Sequence, residues 1–203
     1  MSRLFFAISP YWLWALLALP AAGMIAEVAE SPSPRVFHEL LHPTGEFSAR
    51  FMIIALMATP LAMILKDWRG PRWLKRNRRY FGVAAFGYAL AHTVFYLVDA
   101  GTLARIFGEA LRLDIWTGWL AFFIFIPLAA TSMDYCVRKL GPRWKVLQRW
   151  VYGAAILTLV HWAALHDWGG LGPALVHFVP LGFLQAYRVW HHFARRHQRT
   201  VTG

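Results

Sequence analysis

The segment Leu147–Leu165 reads LQRWVYGAAILTLVHWAAL. From Trp150 onward it is an apolar run close to the ~17–25 residues that cross a bilayer as a helix. One imidazole, His161, lies deep inside it. An ionisable side chain in such a run is costly, so it ordinarily has a partner and a task. The reading therefore turns on how many similar runs the chain contains and on what His161 meets.

The 203 residues are 58% hydrophobic and 15% charged, against about 25% charged in an average soluble domain. The apolar residues fall into six blocks, at 11–27, 50–65, 80–98, 115–133, 150–166 and 171–189. No ten-residue alternating strand pattern occurs, and lipid leaves no backbone polar group unsatisfied, so the blocks read as helices. The expectation is an all-α integral membrane protein. It would be one domain over 1–203, a six-transmembrane-helix bundle with a basic tail at 190–203. The net charge of +11 is distributed as topology rather than as a nucleic-acid footprint. Seventeen of the 21 Lys and Arg residues, Arg3 among them, fall on one side if the blocks alternate, chiefly in 66–79, 137–149 and the tail. Positive charge marks the cytoplasmic side, which places both termini there, with basic loops near anionic lipid. The N-terminal run imitates a signal peptide but reads as a retained first span. The lone cysteine, Cys136, permits no internal disulfide. Residues 28–49 read as an outer loop, Thr59-Pro60 as a break in the second span, and 167–172 (DWGGLG) as a tight hairpin turn.

Depth sorts the histidines. His92 lies 12 residues into the third span and His161 lies 11 into the fifth, both entered from the cytoplasmic side. At 1.5 Å per residue these are roughly 18 and 17 Å. His177, entered from the other side, is roughly 9 Å down, nearly the same level in a core about 30 Å thick. Two level imidazoles on neighbouring helices clamp a planar macrocycle, the way a helical bundle holds a b-type haem. Gly82, Gly87 and Gly153 give room for the ring, and Phe86, Phe95, Trp162 and Phe178 line it. Arg50 reaches the propionates. His177 hydrogen-bonds near the site, with service as an alternative ligand left open. The competing reading of any single membrane histidine is an interhelical hydrogen bond worth about 1 kcal/mol. His38 and His42 sit in the outer loop, four apart, and lack a third ligand for zinc. His191, His192 and His197 belong to the basic tail. There is no HExxH, GxSxG or Walker pattern, and no mid-span carboxylate of the kind an ion-coupled transporter uses. The cytoplasmic loops are too short for a nucleotide domain.

Three runs, HPTGEFSARFMIIALMATPL (42–61), RRYFGVAAFGYALAHTVFY (78–96) and PLAATSMDYCVRKLGPRWKVLQRWVYGAAILTLVHW (127–162), occur in that order. They resemble the MsrQ/YedZ family, haem-binding membrane subunits of the bacterial periplasmic methionine-sulfoxide reductase system, within the ferric-reductase-like transmembrane superfamily. The likeness covers roughly 40–165. It implies a haem b electron conduit, a redox subunit rather than a complete enzyme. A cytoplasmic flavin reductase or the quinol pool would supply electrons, and a periplasmic molybdenum-cofactor reductase would receive them. It makes His92 and His161 the axial ligands of the haem iron. It also shows a departure. The family writes Leu-His-Arg before the fifth span, where that histidine serves a second haem; this chain writes Leu147-Gln148-Arg149, and Arg78 and Arg79 stand at the matching level of the third span. One haem is expected, with Arg78, Arg79 and Gln148 marking the position of an inner cofactor and FMN or quinone left open there. On an ideal helix, 13 residues turn Gln148 about 220° from His161, off its face. Two alternatives stay open: a stand-alone ferric or metal reductase or orphan cytochrome b, and a haem-free membrane structural or assembly protein.

Overall fold

A computed structural model describes residues 10–201, with side chains from Tyr11 to Arg195; Arg3 and the side chain of His197 lie outside this range. The described chain is helical from end to end: α1 (Pro10–Glu30), α2 (Val36–Glu39), α3 (Leu41–Ile64), α4 (Arg69–Ala100), α5 (Leu103–Glu109), α6 (Leu113–Ala130), α7 (Asp134–Leu140), α8 (Pro142–Gln148), α9 (Val151–Trp168) and α10 (Leu171–Val201). Four of the described segments are long and apolar enough to cross a membrane: Tyr11–Glu30, Val36–Ile64, Arg69–Ala100 and Leu113–Ala130. Helix α10 has 31 residues, while the regular part of α9 ends at Ala164, just before non-helical Leu165.

The main core joins α3, α4, α6, α9 and α10 through small and apolar side chains such as Ala49, Met52, Ala85, Phe125, Ala154 and Ala174. Helix α3 runs along α4, α6 runs along α9, and α10 bridges α3 and α9. Alanines at these seams let the backbones approach closely, which is how helices associate in lipid. Helix α1 docks at the edge, with Leu13 and Leu17 against Phe81 and Ala84.

Several expected boundaries are corrected. The segment 28–49 is not a loop: α2 and the first nine residues of α3 occupy its second half. Pro43 falls in the first turn of α3, where a missing N–H costs nothing, and Thr44 Oγ1 donates back to the Leu40 carbonyl at 2.6 Å. Most of the basic segment 66–79 forms the start of α4, and the tail is helical to Val201. Thr59-Pro60 does not break the second span, since α3 continues to Ile64. Proline removes the donor that would serve the carbonyl four residues back. That carbonyl belongs to Leu56, and Gln185 Nε2 donates to it at 2.9 Å. The hairpin between α9 and α10 forms as expected but starts earlier, with non-helical Leu165 and left-handed His166, Asp167 and Trp168.

A second repair surrounds Pro20 in α1. Tyr88 Oη accepts from the Ala21 N–H at 2.9 Å and donates to the Leu17 carbonyl at 2.9 Å. A side-chain hydroxyl thus enters the helix ladder beside the proline. Tyr88→Phe leaves that donor and acceptor without their partner, at a cost of about 1–3 kcal/mol. Thermal melting in detergent should show a lowered Tm with unchanged helical content at low temperature. An unchanged Tm would mean the ladder closes without the hydroxyl.

Candidate functional site

Helices α4 and α9 bring the rings of His92 and His161 together at a steep angle. Their ring centroids are 6.0 Å apart and their planes cross at 84°. Both line one cavity of about 100 Å³, together with Gly45, Gly118, Trp119, Phe122 and Phe125.

Each ring is held by its Nδ1. His92 Nδ1 lies 2.9 Å from the Leu41 carbonyl oxygen and 3.4 Å from Thr44 Oγ1. His161 Nδ1 meets the carbonyl oxygen of Asp114. A carbonyl only accepts, so each Nδ1 carries the proton and each Nε2 keeps a lone pair. Among the described residues nothing bonds to either Nε2. This is the arrangement of a metal-binding imidazole, whose outer N–H is fixed by a carbonyl while the other nitrogen faces the metal. The spacing fits as well. Imidazole–metal bonds run about 2 Å, so two rings on one metal have centroids roughly 6 Å apart.

Two glycines make these seats possible. A Cβ at Gly45 would lie 3.1 Å from His92 Nδ1, and one at Gly118 would lie 2.8 Å from His161 Nδ1. Asp114 is itself clamped: Arg112 donates from Nε at 3.2 Å and Nη2 at 2.7 Å to its two carboxylate oxygens. That carboxylate raises the Arg112 guanidinium above its ordinary value.

The structure redistributes the rest of the expected pocket. A Cβ at Gly82 or Gly87 would meet nothing within 4 Å, and one at Gly153 only Trp150 at 4.0 Å. None of the three lines the imidazole cavity. Of the expected aromatic lining, Phe95 packs on Phe37, Trp162 on His177, and Phe178 in the core. Phe86 lies one layer away, stacked on Phe122 at 6.0 Å and 11°. The aromatic wall comes from α6 instead. Its signal is present in the sequence: Ile115, Gly118, Phe122 and Phe125 recur at helical spacing. An all-apolar helix, however, marks no single residue.

Arg50 and His177 pair with each other and lie outside that cavity. Arg50 Nε donates to His177 Nε2 at 3.3 Å and Arg50 Nη2 to Glu46 Oε1 at 2.5 Å. His177 Nδ1 donates to the Pro173 carbonyl at 2.8 Å. Both nitrogens of His177 are engaged, and the cluster ties α3 to α10. His38 pairs with Asp99 at 3.3 Å and His42 with Glu46 at 3.8 Å, so the two do not converge.

Arg78, Arg79 and Gln148 line a second cavity, of about 410 Å³, at the basic end of the bundle. Gln148 Nε2 donates at 3.0 Å to the Leu128 carbonyl near the C-terminus of α6, which also accepts from Ser132 Oγ at 2.7 Å. Gln148 and His161 thus both reach α6. The turn between them departs from the ideal of about 220° by only about 60°, where the backbone tightens between α8 and α9, so the two still do not share a face. Arg149, Trp150 and Tyr152 donate three residues back rather than four. Each such step turns the chain about 120° instead of about 100°. Phe125 lines both cavities, so a single side-chain layer separates them.

The chain matches the family described as ferric reductase like transmembrane component over residues 44–159. A protein-methionine-sulfoxide reductase heme-binding subunit MsrQ from Ralstonia nicotianae is 32% identical over 203 residues, covering 95% of this chain and 88% of that protein. The chain belongs to the MsrQ branch of the ferric reductase-like transmembrane family. Two further MsrQ proteins are similar. One, from Polaromonas naphthalenivorans, is 33% identical and covers 79% of this chain and 74% of its own length. The other, from Azospira oryzae, is 32% identical and covers 87% and 76%. No solved structure matches the chain. As a member of this transmembrane family with four long apolar helices, the MsrQ-type chain is a multi-pass membrane protein.

Proposed function

We propose that this chain is the haem b-binding membrane subunit of a methionine-sulfoxide repair system. In this reading α1, α3, α4, α6, α9 and α10 are six spans in the bacterial inner membrane, with both termini cytoplasmic. Electrons from a cytoplasmic flavin or quinol donor cross to a periplasmic reductase. The names of the similar proteins support this, each being called a heme-binding subunit. The observation that carries it is the imidazole pair, 6.0 Å apart, with both Nδ1 atoms committed to carbonyls.

A haem bound there supplies a reversible one-electron iron couple. His92 and His161 would hold the iron from α4 and α9. Trp119, Phe122 and Phe125 would face the macrocycle and exclude water. Arg112 and Asp114 would keep the His161 carbonyl partner in place. Phe86 stacked on Phe122 would fill the layer between the two cavities with closely spaced π systems. Arg50 and His177 would serve as an α3–α10 tie rather than as ligands.

Among the described residues, no histidine lines the inner cavity. Arg79, at that level of α4, is ion-paired with Asp134 at 2.5 Å. Gln148→His alone therefore still lacks an opposing imidazole. Haem quantified per chain should stay near one in both wild type and Gln148→His, read as a Soret band with a reducible α band in the b-type region. A wild-type ratio near two would refute the single-haem assignment.

A further inference from the structure

The basic-end cavity carries more cations than its surroundings neutralise. Arg78 and Arg79 enter it from α4, Lys145 from α8, Arg149 from the end of α8, and Arg188 from α10. Of these five, only Arg79 has a carboxylate partner among the described residues, Asp134. Arg78 donates to the Thr59 hydroxyl at 2.8 Å, and Arg188 to Tyr152 Oη and Gln185 Oε1. Among the described residues no side-chain partner holds Lys145 or Arg149. Four cations from three helices thus converge on one space without a matching anion. Like charges gathered at a low-dielectric wall repel, and a bound anion relieves that cost. Guanidinium groups present paired donors that match phosphate oxygens.

The opposite wall is apolar, including Met52, Phe125 and Leu128. A ligand with a phosphate at one end and a hydrocarbon part at the other satisfies both walls. We propose that this cavity is a phosphate-binding site whose occupant is the headgroup of an anionic phospholipid, with an acyl chain along the apolar wall. Basic pockets between membrane helices on the cytoplasmic side take such lipids. The assignment to the inner leaflet rests on the orientation proposed above.

The test is native mass spectrometry of the full chain from nanodiscs of phosphatidylcholine containing a minor fraction of phosphatidylglycerol. Wild type should retain phosphatidylglycerol in preference to phosphatidylcholine. Lys145→Gln with Arg149→Gln should lower that retention roughly tenfold or more, as expected for two lost headgroup contacts. Lys145→Arg with Arg149→Lys should keep it, and so should Arg143→Gln, which lies outside the cavity. Circular dichroism of each variant shows that the fold is intact. A second arm titrates inorganic phosphate into protein held in phosphatidylcholine alone. Binding that depends on Lys145 and Arg149, without lipid preference, would place the phosphate site correctly and make its source soluble. Equal retention of both lipids together with no phosphate binding overturns the proposal, as does retention unchanged in the double variant. Lipid retention is read whether or not haem is present, so an absent Soret band would count against the haem assignment and not against this one.

Discussion

Alanine at either His92 or His161 should empty the haem site, with the Soret band of the purified protein falling by an order of magnitude or more. Removing only the outer partner of a metal-bound imidazole costs about 10–100-fold in affinity, and removing the imidazole itself costs more. The two variants should fail alike, because each leaves one nitrogen where two are needed. His177→Ala is the control that separates ligation from proximity. It removes the acceptor of Arg50 Nε and a ring packed 4.9 Å from Trp162. The expected result is a lower Tm with an unchanged haem spectrum. If His177→Ala lost haem while His92→Ala kept it, the ligand assignment would be wrong.

The second large effect is expected from a residue with no functional group. Gly118→Ala places a Cβ 2.8 Å from His161 Nδ1, closer than side-chain carbons approach a ring. The ring must leave the Asp114 carbonyl, and its Nε2 turns away from His92. Haem affinity should fall about 10–100-fold, the scale of losing an outer-shell partner. Gly45→Ala, at 3.1 Å from His92 Nδ1, should act in the same direction and less strongly. Gly82→Ala has open space around it and should leave haem content unchanged while favouring the helix by about 0.5–1 kcal/mol. Equal haem content in Gly118→Ala and Gly82→Ala would mean that His161 is not seated by that contact.

Much of this is legible along the chain because bilayer depth is nearly a linear function of position in a helix. Counting residues into two spans is enough to put His92 and His161 on one level, and the fold places them together. What lies outside that arithmetic is lateral. Which face of α3 and α6 touches the imidazoles depends on helix rotation, so Gly45 and Gly118 carry no mark in the sequence. Arg50 sits on the same helix as Gly45, yet it turns toward α10 and pairs with His177. The glycines in α4 look equally suited to a bulky ring and meet nothing. Polar repairs of prolines are also invisible in the sequence. Gln185 and Tyr88 serve Leu56 and the Pro20 region across 129 and 67 residues of sequence. The ideal-helix count keeps Gln148 off the face of His161, and the two line different cavities.

The central claim, one haem held between His92 and His161, is tested most directly by low-temperature electron paramagnetic resonance of the oxidised protein. A haem iron held between rings crossed near 84° would have its overlapping orbitals nearly equal in energy and would give a single, strongly anisotropic low-spin ferric signal. The account predicts that signal alone, at about one spin per chain. A high-spin signal, a rhombic signal of near-parallel rings, or two distinct low-spin species would contradict it.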